Sequence, residues 1–198
     1  MRLETDVGRY AVGGVRLCTI WPAPSDAEAV TDAARDAVSL GRTRTLAQDP
    51  AYGVRQIADV GIRALSSGID DPTTAQDAIF HLAAILRVAQ QRMAPPAVVV
   101  DDDDRCLVRS EHLDHAELVE LAFEELRRSA ATHPTVSIYL LEALHLLCRS
   151  DDPPAPEAAT SAMREQAALV LAGCEHEGLL PADLTAVRDA YELRFGED

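Results

Sequence analysis

Between residues 42 and 75 the chain concentrates side chains suited to holding an anion or answering one charge with another. Arg55, Asp59 and Arg63 recur at i, i+4 and i+8, so on a helix they share one face as a ladder of alternating charge. Gln56 flanks the ladder, and Arg42, Arg44, Gln48 and Asp49 immediately precede it. Asp70, Asp71, Thr73 and Thr74 open the next helix, whose first-turn N–H groups and positive dipole end offer a place for an anion. A fold-back of the two helices gathers Arg44, Gln48, Asp49, Arg55, Gln56, Asp59, Arg63, Asp70, Asp71, Thr73 and Thr74 into one candidate ligand-binding cluster. The plainer alternative is a structural ladder, because exposed Arg–Asp pairs contribute under ~1 kcal/mol each and Asp70 or Asp71 serves equally as a helix cap. A rival chemistry has Asp49, Asp59, Asp70 and Asp71 converging on a divalent cation, as in a metal-dependent hydrolase.

Other constellations are looser. His112-x-x-His115, His145-x-x-Cys148 and Cys174-x-His176 contain zinc-ligand types, but none has the paired spacing of a finger or a protease helix. His145 and Cys148 lie on an apolar stripe and read as core. The run Asp101 to Asp104 reads as a solvated turn, since adjacent carboxylates lack the alternation and the glycine of a calcium loop. There is no G-x-S-x-G elbow, no G-x-G-x-x-G loop and no C-x-x-C pair, and Ser66 and Ser67 have no partner histidine placed by the sequence. No catalytic residue, metal ligand or cofactor is assigned.

The elements that must position these groups are mostly helices. Arg2 to Asp6, Tyr10 to Gly14 and Val15 to Trp21 predict short strands around a glycine-permitted turn, ended by Pro22 and Pro24. Ser25-Asp-Ala-Glu28 predicts a capping box with the Ser hydroxyl as cap, opening a helix over 26–40 that stops at Gly41. Asp49-Pro50 and Asp71-Pro72 open the next two helices, with Val54, Ile57, Ala58, Gly61 and Leu65 on the inner face of the first. Ala97 to Val100 and Cys106 to Arg109 predict a hairpin. Asp114 to Glu117 is a second capping box, Pro134 starts another helix, Asp151 to Pro156 is a linker, and two helices follow over about 157–176 and 182–195. The expected fold is mainly α, a bundle of about seven helices with a small N-terminal β element and a short hairpin near residue 100. It is expected as a single domain over 1–198, with 1–24 a β-rich entry segment and 25–198 a helical body.

Composition narrows the partners. The 198 residues carry 33 acidic against 18 basic side chains, a formal net charge of -15 that repels phosphate backbones and anionic lipid surfaces, so nucleic acid is not an expected partner. Every basic residue is Arg. The missing Lys removes Schiff-base chemistry and the phosphate-loop lysine. Hydrophobic residues at 47% with aromatics at only 4% point to a core of Leu, Ile, Val and Ala, which favours packed helices. The four cysteines stand far apart and read as reduced thiols, and neither a signal peptide nor an apolar run of membrane-spanning length appears. A soluble, cytoplasmic chain is the expectation.

Arg44-Thr45, Gln48-Asp49, Gly53-x-Arg55-Gln56, Asp59, Arg63-Ala-Leu-Ser66 and Ile69-Asp-Asp-Pro-Thr-Thr-Ala75 resemble the signature of a bacterial family of predicted membrane proteins, the domain of unknown function numbered twenty-two fifty-four. The front end from Val7 to Leu17 and the Leu-rich stretch from Ser137 to Leu147 resemble its flanking segments. Where that family reads Ser-Pro-Gly-Ile-Asn-Asp-Pro, this chain has Ser67 for the Pro and Asp70 for the Asn. The family carries transmembrane helices ahead of this region, so the resemblance implies a soluble C-terminal portion, associated with the membrane through a region outside this chain. It brings no reaction with it. The expected function is a non-enzymatic sensing, gating or interaction module, with a metal-dependent hydrolase and an oligomerisation domain as rivals. Expected partners are a membrane-embedded portion, a small anion and further copies of the chain.

Overall fold

The computed structural model describes residues 1–47, 49–94, 96–109, 113–149 and 153–196. Among them are four short strands and seven helices, a mainly α fold. The chain groups into two compact units, Met1–Tyr52 with Pro95–His112, and Gly53–Ala94 with Leu113–Asp198.

The first unit is built on a four-stranded sheet of order β2-β1-β4-β3, from β1 (Arg2–Leu3), β2 (Cys18–Thr19), β3 (Val98–Val100) and β4 (Cys106–Arg109). β1 runs antiparallel to β2, with Arg2 opposite Thr19, and parallel to β4, with Leu3 opposite Arg109. β3 and β4 form the expected hairpin, Val98 facing Val108. Its acidic turn is organised by Asp101, whose carboxylate accepts the Asp103 and Arg105 backbone N–H groups and pairs with the Arg105 guanidinium. Asp102, Asp103 and Asp104 stand exposed. The segment from Tyr10 to Gly14 forms no strand, and only Cys18–Thr19 of the following stretch pairs. Helix α1 (Ala27–Asp36) buries nothing, and its cap is Asp26 rather than Ser25. The Asp26 carboxylate accepts from Ala29 N–H at 3.0 Å, a stronger acceptor than a hydroxyl at a positive helix end. The helix also ends at Asp36, well before Gly41; Val30 and Ala34 share one face but are only partly buried, so little packing supports a longer helix.

The second unit holds the hydrophobic core. Helix α2 (Pro50–Ala64) enters it at Gly53, followed by α3 (Pro72–Gln90), α4 (His115–Ala130), α5 (Pro134–Cys148), α6 (Glu157–His176) and α7 (Pro181–Phe195). α5 packs against α3, α4, α6 and α7, which explains why its sequence is apolar nearly all round. Phe123, Ile79, Leu82, Leu126, Leu140, Leu141, Leu144 and Met163 are fully buried at the centre. Ala130, Ala143, Ala159 and Ala167 are equally buried, so the helices approach closely without large aromatic spacers. Asp114 and Glu117 complete the expected capping box of α4, each accepting from the other's backbone N–H. At the same helix start His115 Nε2 lies 3.1 Å from Ala89 O and 3.0 Å from Arg92 O, donating to carbonyls at the end of α3.

Candidate functional site

The residues of the 42–75 cluster are divided by the two units. In the first, Asp49 is 5% exposed and takes two roles at once. Oδ1 accepts the Tyr52 N–H at 3.0 Å, capping the first turn of α2, where Pro50 has no N–H to satisfy. Both carboxylate oxygens also receive Arg44, Oδ2 from Nε at 2.7 Å and Oδ1 from Nη2 at 3.0 Å. This fork-on-fork pairing holds the Arg44 guanidinium above its ordinary range, the Asp49 hydrogen bond being the main cause. The guanidinium carbon also sits 4.9 Å from the centroid of the Tyr52 ring, a cation–π contact. Gly8 closes the arrangement with φ of +78°, and a Cβ there would overlap the Asp49 carboxylate. Gln48 lies outside the described residues.

In the second unit Arg55 and Asp59 pair along α2 at 2.9 Å, and Arg55 reaches across to Glu125 on α4 through Nη1 at 2.9 Å and Nη2 at 2.7 Å. Arg55 is raised and Glu125 lowered by this bidentate bond. Glu125 is the partner that spacing along α2 could not supply. Gln56 and Arg63 are exposed, and no ion pair joins Arg63 to Asp59 among the described residues.

The turn between α2 and α3 explains the signature's acidic pair. Asp71 is the N-cap of α3: its carboxylate accepts the Thr74 N–H at 3.1 Å and the Thr74 hydroxyl, which together hold it below its usual range. The anion at the first turn of α3 is thus the chain's own carboxylate. Asp70 has φ of +50°, the left-handed region that Asn and Asp tolerate best among residues with a Cβ, so either fits this position of the signature. Its carboxylate lies 3.2 Å from His133 Nε2, while His133 Nδ1 lies 3.1 Å from the Thr132 hydroxyl. This hydroxyl–imidazole–carboxylate line joins the α2–α3 turn to the α4–α5 turn, with Asp70 largely in solvent and His133 the N-cap of α5. Thr73 is exposed. Asp49, Asp59, Asp70 and Asp71 therefore have separate partners, and among the described residues no three His, Cys, Asp or Glu side chains gather at one point.

The histidine and cysteine candidates form no group of three among the described residues either. His145 meets the Phe195 ring edge-on at 5.7 Å, and Cys174 donates to the Ser137 hydroxyl at 3.3 Å in the core. His112 lies outside the described residues. Burial pushes the Cys148 thiol up to about 11 and raises Cys174 as well, whereas Cys106 is exposed on β4. Since the thiolate is the reactive form, iodoacetamide at pH 8 is expected to label Cys106 while Cys148 and Cys174 stay unlabelled until denaturant is added. Cys148 reactivity should rise only as the pH approaches 11. Peptide mass mapping over a labelling time course checks this, and equal rates at all three would contradict it.

A concavity lies between α4 and α6, a cavity of about 380 Å³ lined by Glu120, Glu124, Arg127, Arg128, Gln166 and their neighbours. Arg127 is half-buried and donates through Nε to Gln166 Oε1 at 3.0 Å. Gln166 is 5% exposed. These two residues fall outside the 42–75 cluster. Their only sequence signal is the Arg127-Arg128 pair in the last turn of α4 and a glutamine on the inner face of α6.

A family model described as "Predicted membrane protein (DUF2254)" matches residues 1–145. The uncharacterized protein Rv1290c of Mycobacterium tuberculosis and the uncharacterized protein Mb1321c of Mycobacterium bovis are each 29% identical to the chain over 180 residues, 88% of its length. The chain spans 34% of the length of these curated relatives. No solved structure matches it. Among the described residues no helix is long and apolar enough to cross a membrane.

Proposed function

The chain belongs to this family of predicted membrane proteins, and on that premise we propose that it is a non-enzymatic gating or sensing module working beside a membrane-embedded portion. The observation that carries the reading is how the signature's charges are used. Arg44 is matched to Asp49, Arg55 to Asp59 and Glu125, Asp71 to the first turn of α3, and Asp70 to His133. A catalytic base or nucleophile needs an open side facing substrate, and these groups instead lock helix starts and helix crossings. Such pairings suit an element that must move as a rigid piece. The Arg55–Glu125 bond ties α2 to α4 at the surface and, with the buried crossing at Gly61, would carry a displacement of α2 to the rest of the bundle.

The mycobacterial relative Rv1290c supplies the test. Reconstituted in vesicles, it is expected to change its small-ion flux when the region matching this chain is removed. Unchanged flux, or turnover of phosphate esters, carboxylic esters or peptides by the present chain with magnesium, manganese or zinc, would overturn the reading.

A further inference from the structure

We propose that the cavity between α4 and α6 binds a small zwitterion, an amino acid or short peptide bearing both a carboxylate and an ammonium group. Arg127 would take the carboxylate. Its Nε is committed to Gln166, and its two Nη groups have no partner among the described residues. Elsewhere on the bundle Arg55 is answered by Glu125, Arg128 by Glu124, Arg188 by Glu175 and Arg194 by Glu142. Arg127, more sheltered than Arg128 and Arg188, has no carboxylate within ion-pair distance among the described residues, and Glu124 answers its charge only through space. Burial lowers it from its ordinary range, the cost of a cation held partly out of water that a bound carboxylate would offset. The buried Gln166 amide fixes the guanidinium plane, so the open edge of the fork is already oriented for a bidentate bond.

The rest of the lining selects the other half of the ligand. Glu120 and Glu165 face the same cavity without an ion pair among the described residues, while Arg128 and Glu124 cancel. One free cation and two free carboxylates disfavour phosphate and dicarboxylates, and they suit a carboxylate joined to an ammonium. Leu169, 36% exposed at the rim, offers apolar surface to a short side chain. A space of about 380 Å³ is at the small end of ligand sites, matching an amino acid or dipeptide.

The test is a titration of the chain with L-alanine, L-lysine and alanylalanine, followed by amide NMR shifts, with succinate and inorganic phosphate as anion comparators. Saturable shifts confined to 120–128 and 165–169 with at least one zwitterion, and none with succinate or phosphate, are expected. Arg127→Gln and Leu169→Trp, which fills the rim from an exposed position, should each weaken that binding by about tenfold or more, with amide positions elsewhere unchanged. No saturation by any of the three, equal saturation by an anion, or binding indifferent to both substitutions would overturn the proposal. The binding does not depend on the gating reading: an unchanged flux in the relative would remove a use for the ligand and leave these titrations as they stand.

Discussion

Asp49→Ala should cost the first unit about 2–4 kcal/mol, the sum of a lost helix cap and a broken charge-assisted pair. Asp49 is 5% exposed, and its carboxylate caps α2 at Tyr52 and takes two bonds from Arg44, so truncation leaves the Tyr52 N–H only its contact with the Asp49 carbonyl and removes both carboxylate bonds from the Arg44 guanidinium. Arg44 is itself 40% exposed, which lets water recover part of the loss and keeps the figure below that of a fully buried pair. The only Trp in the sequence, Trp21, belongs to this unit and provides the readout. Its fluorescence transition in urea should move to lower denaturant in the variant. Asp49→Asn keeps an acceptor for the Tyr52 N–H but not the ion pair, and should fall about midway. Gly8→Ala attacks the same arrangement from outside, because a Cβ there overlaps the carboxylate and the +78° φ resists any side chain. Combined with Asp49→Ala it should therefore cost less than the sum of the two. A Trp21 transition unmoved by Asp49→Ala would show that the pair is ornamental.

The helices of this protein are legible because their signals are local. Asp71-Pro72, Asp114 with Glu117, and Pro134 each set a helix start within four residues, and the structure places α3, α4 and α5 at those positions. What pairs across space left no such trace. The parallel register of Leu3 with Arg109 joins strands more than a hundred residues apart, so the front end and the hairpin read as separate elements although they form one sheet. Asp26 outcompeted Ser25 as the cap of α1 by acceptor strength, a choice that a Ser-x-x-Glu pattern alone does not decide. For the candidate site, residue types were readable and partners were not. Arg55 with Asp59 follows from i,i+4 spacing, whereas Glu125 and His133 arrive from α4 and the start of α5. Arg127 is informative in another way: the group that meets it across space is a neutral amide, Gln166 on α6, which nothing in the spacing along α4 announces.

Gly61→Val is expected to destabilise the helical unit by about 2–4 kcal/mol through overpacking. Gly61 is buried on α2, and a Cβ built there lies 2.9 Å from Leu126 Cδ1 on α4 and 3.2 Å from Ala78 Cβ on α3. Glycine in a helix interior ordinarily costs up to about 1 kcal/mol relative to alanine, so an unobstructed Gly61→Ala would stabilise. Here the gain is opposed by two neighbours. Leu126 has no exposure and cannot swing into solvent, and Ala78 has no rotamer to change. Gly61→Ala should accordingly be neutral to destabilising, while Val, with two further methyl groups in the same space, should be clearly worse. The ellipticity of the helices in a thermal or urea transition reads both. Steric origin separates from propensity in a cycle with Leu126→Val: that change alone removes a buried methylene and costs about 1 kcal/mol. In the Gly61→Ala background it opens the space the new Cβ needs, so it should cost little or nothing. Strict additivity of the pair would mean that Gly61 is kept for some reason other than the close crossing of α2 with α3 and α4.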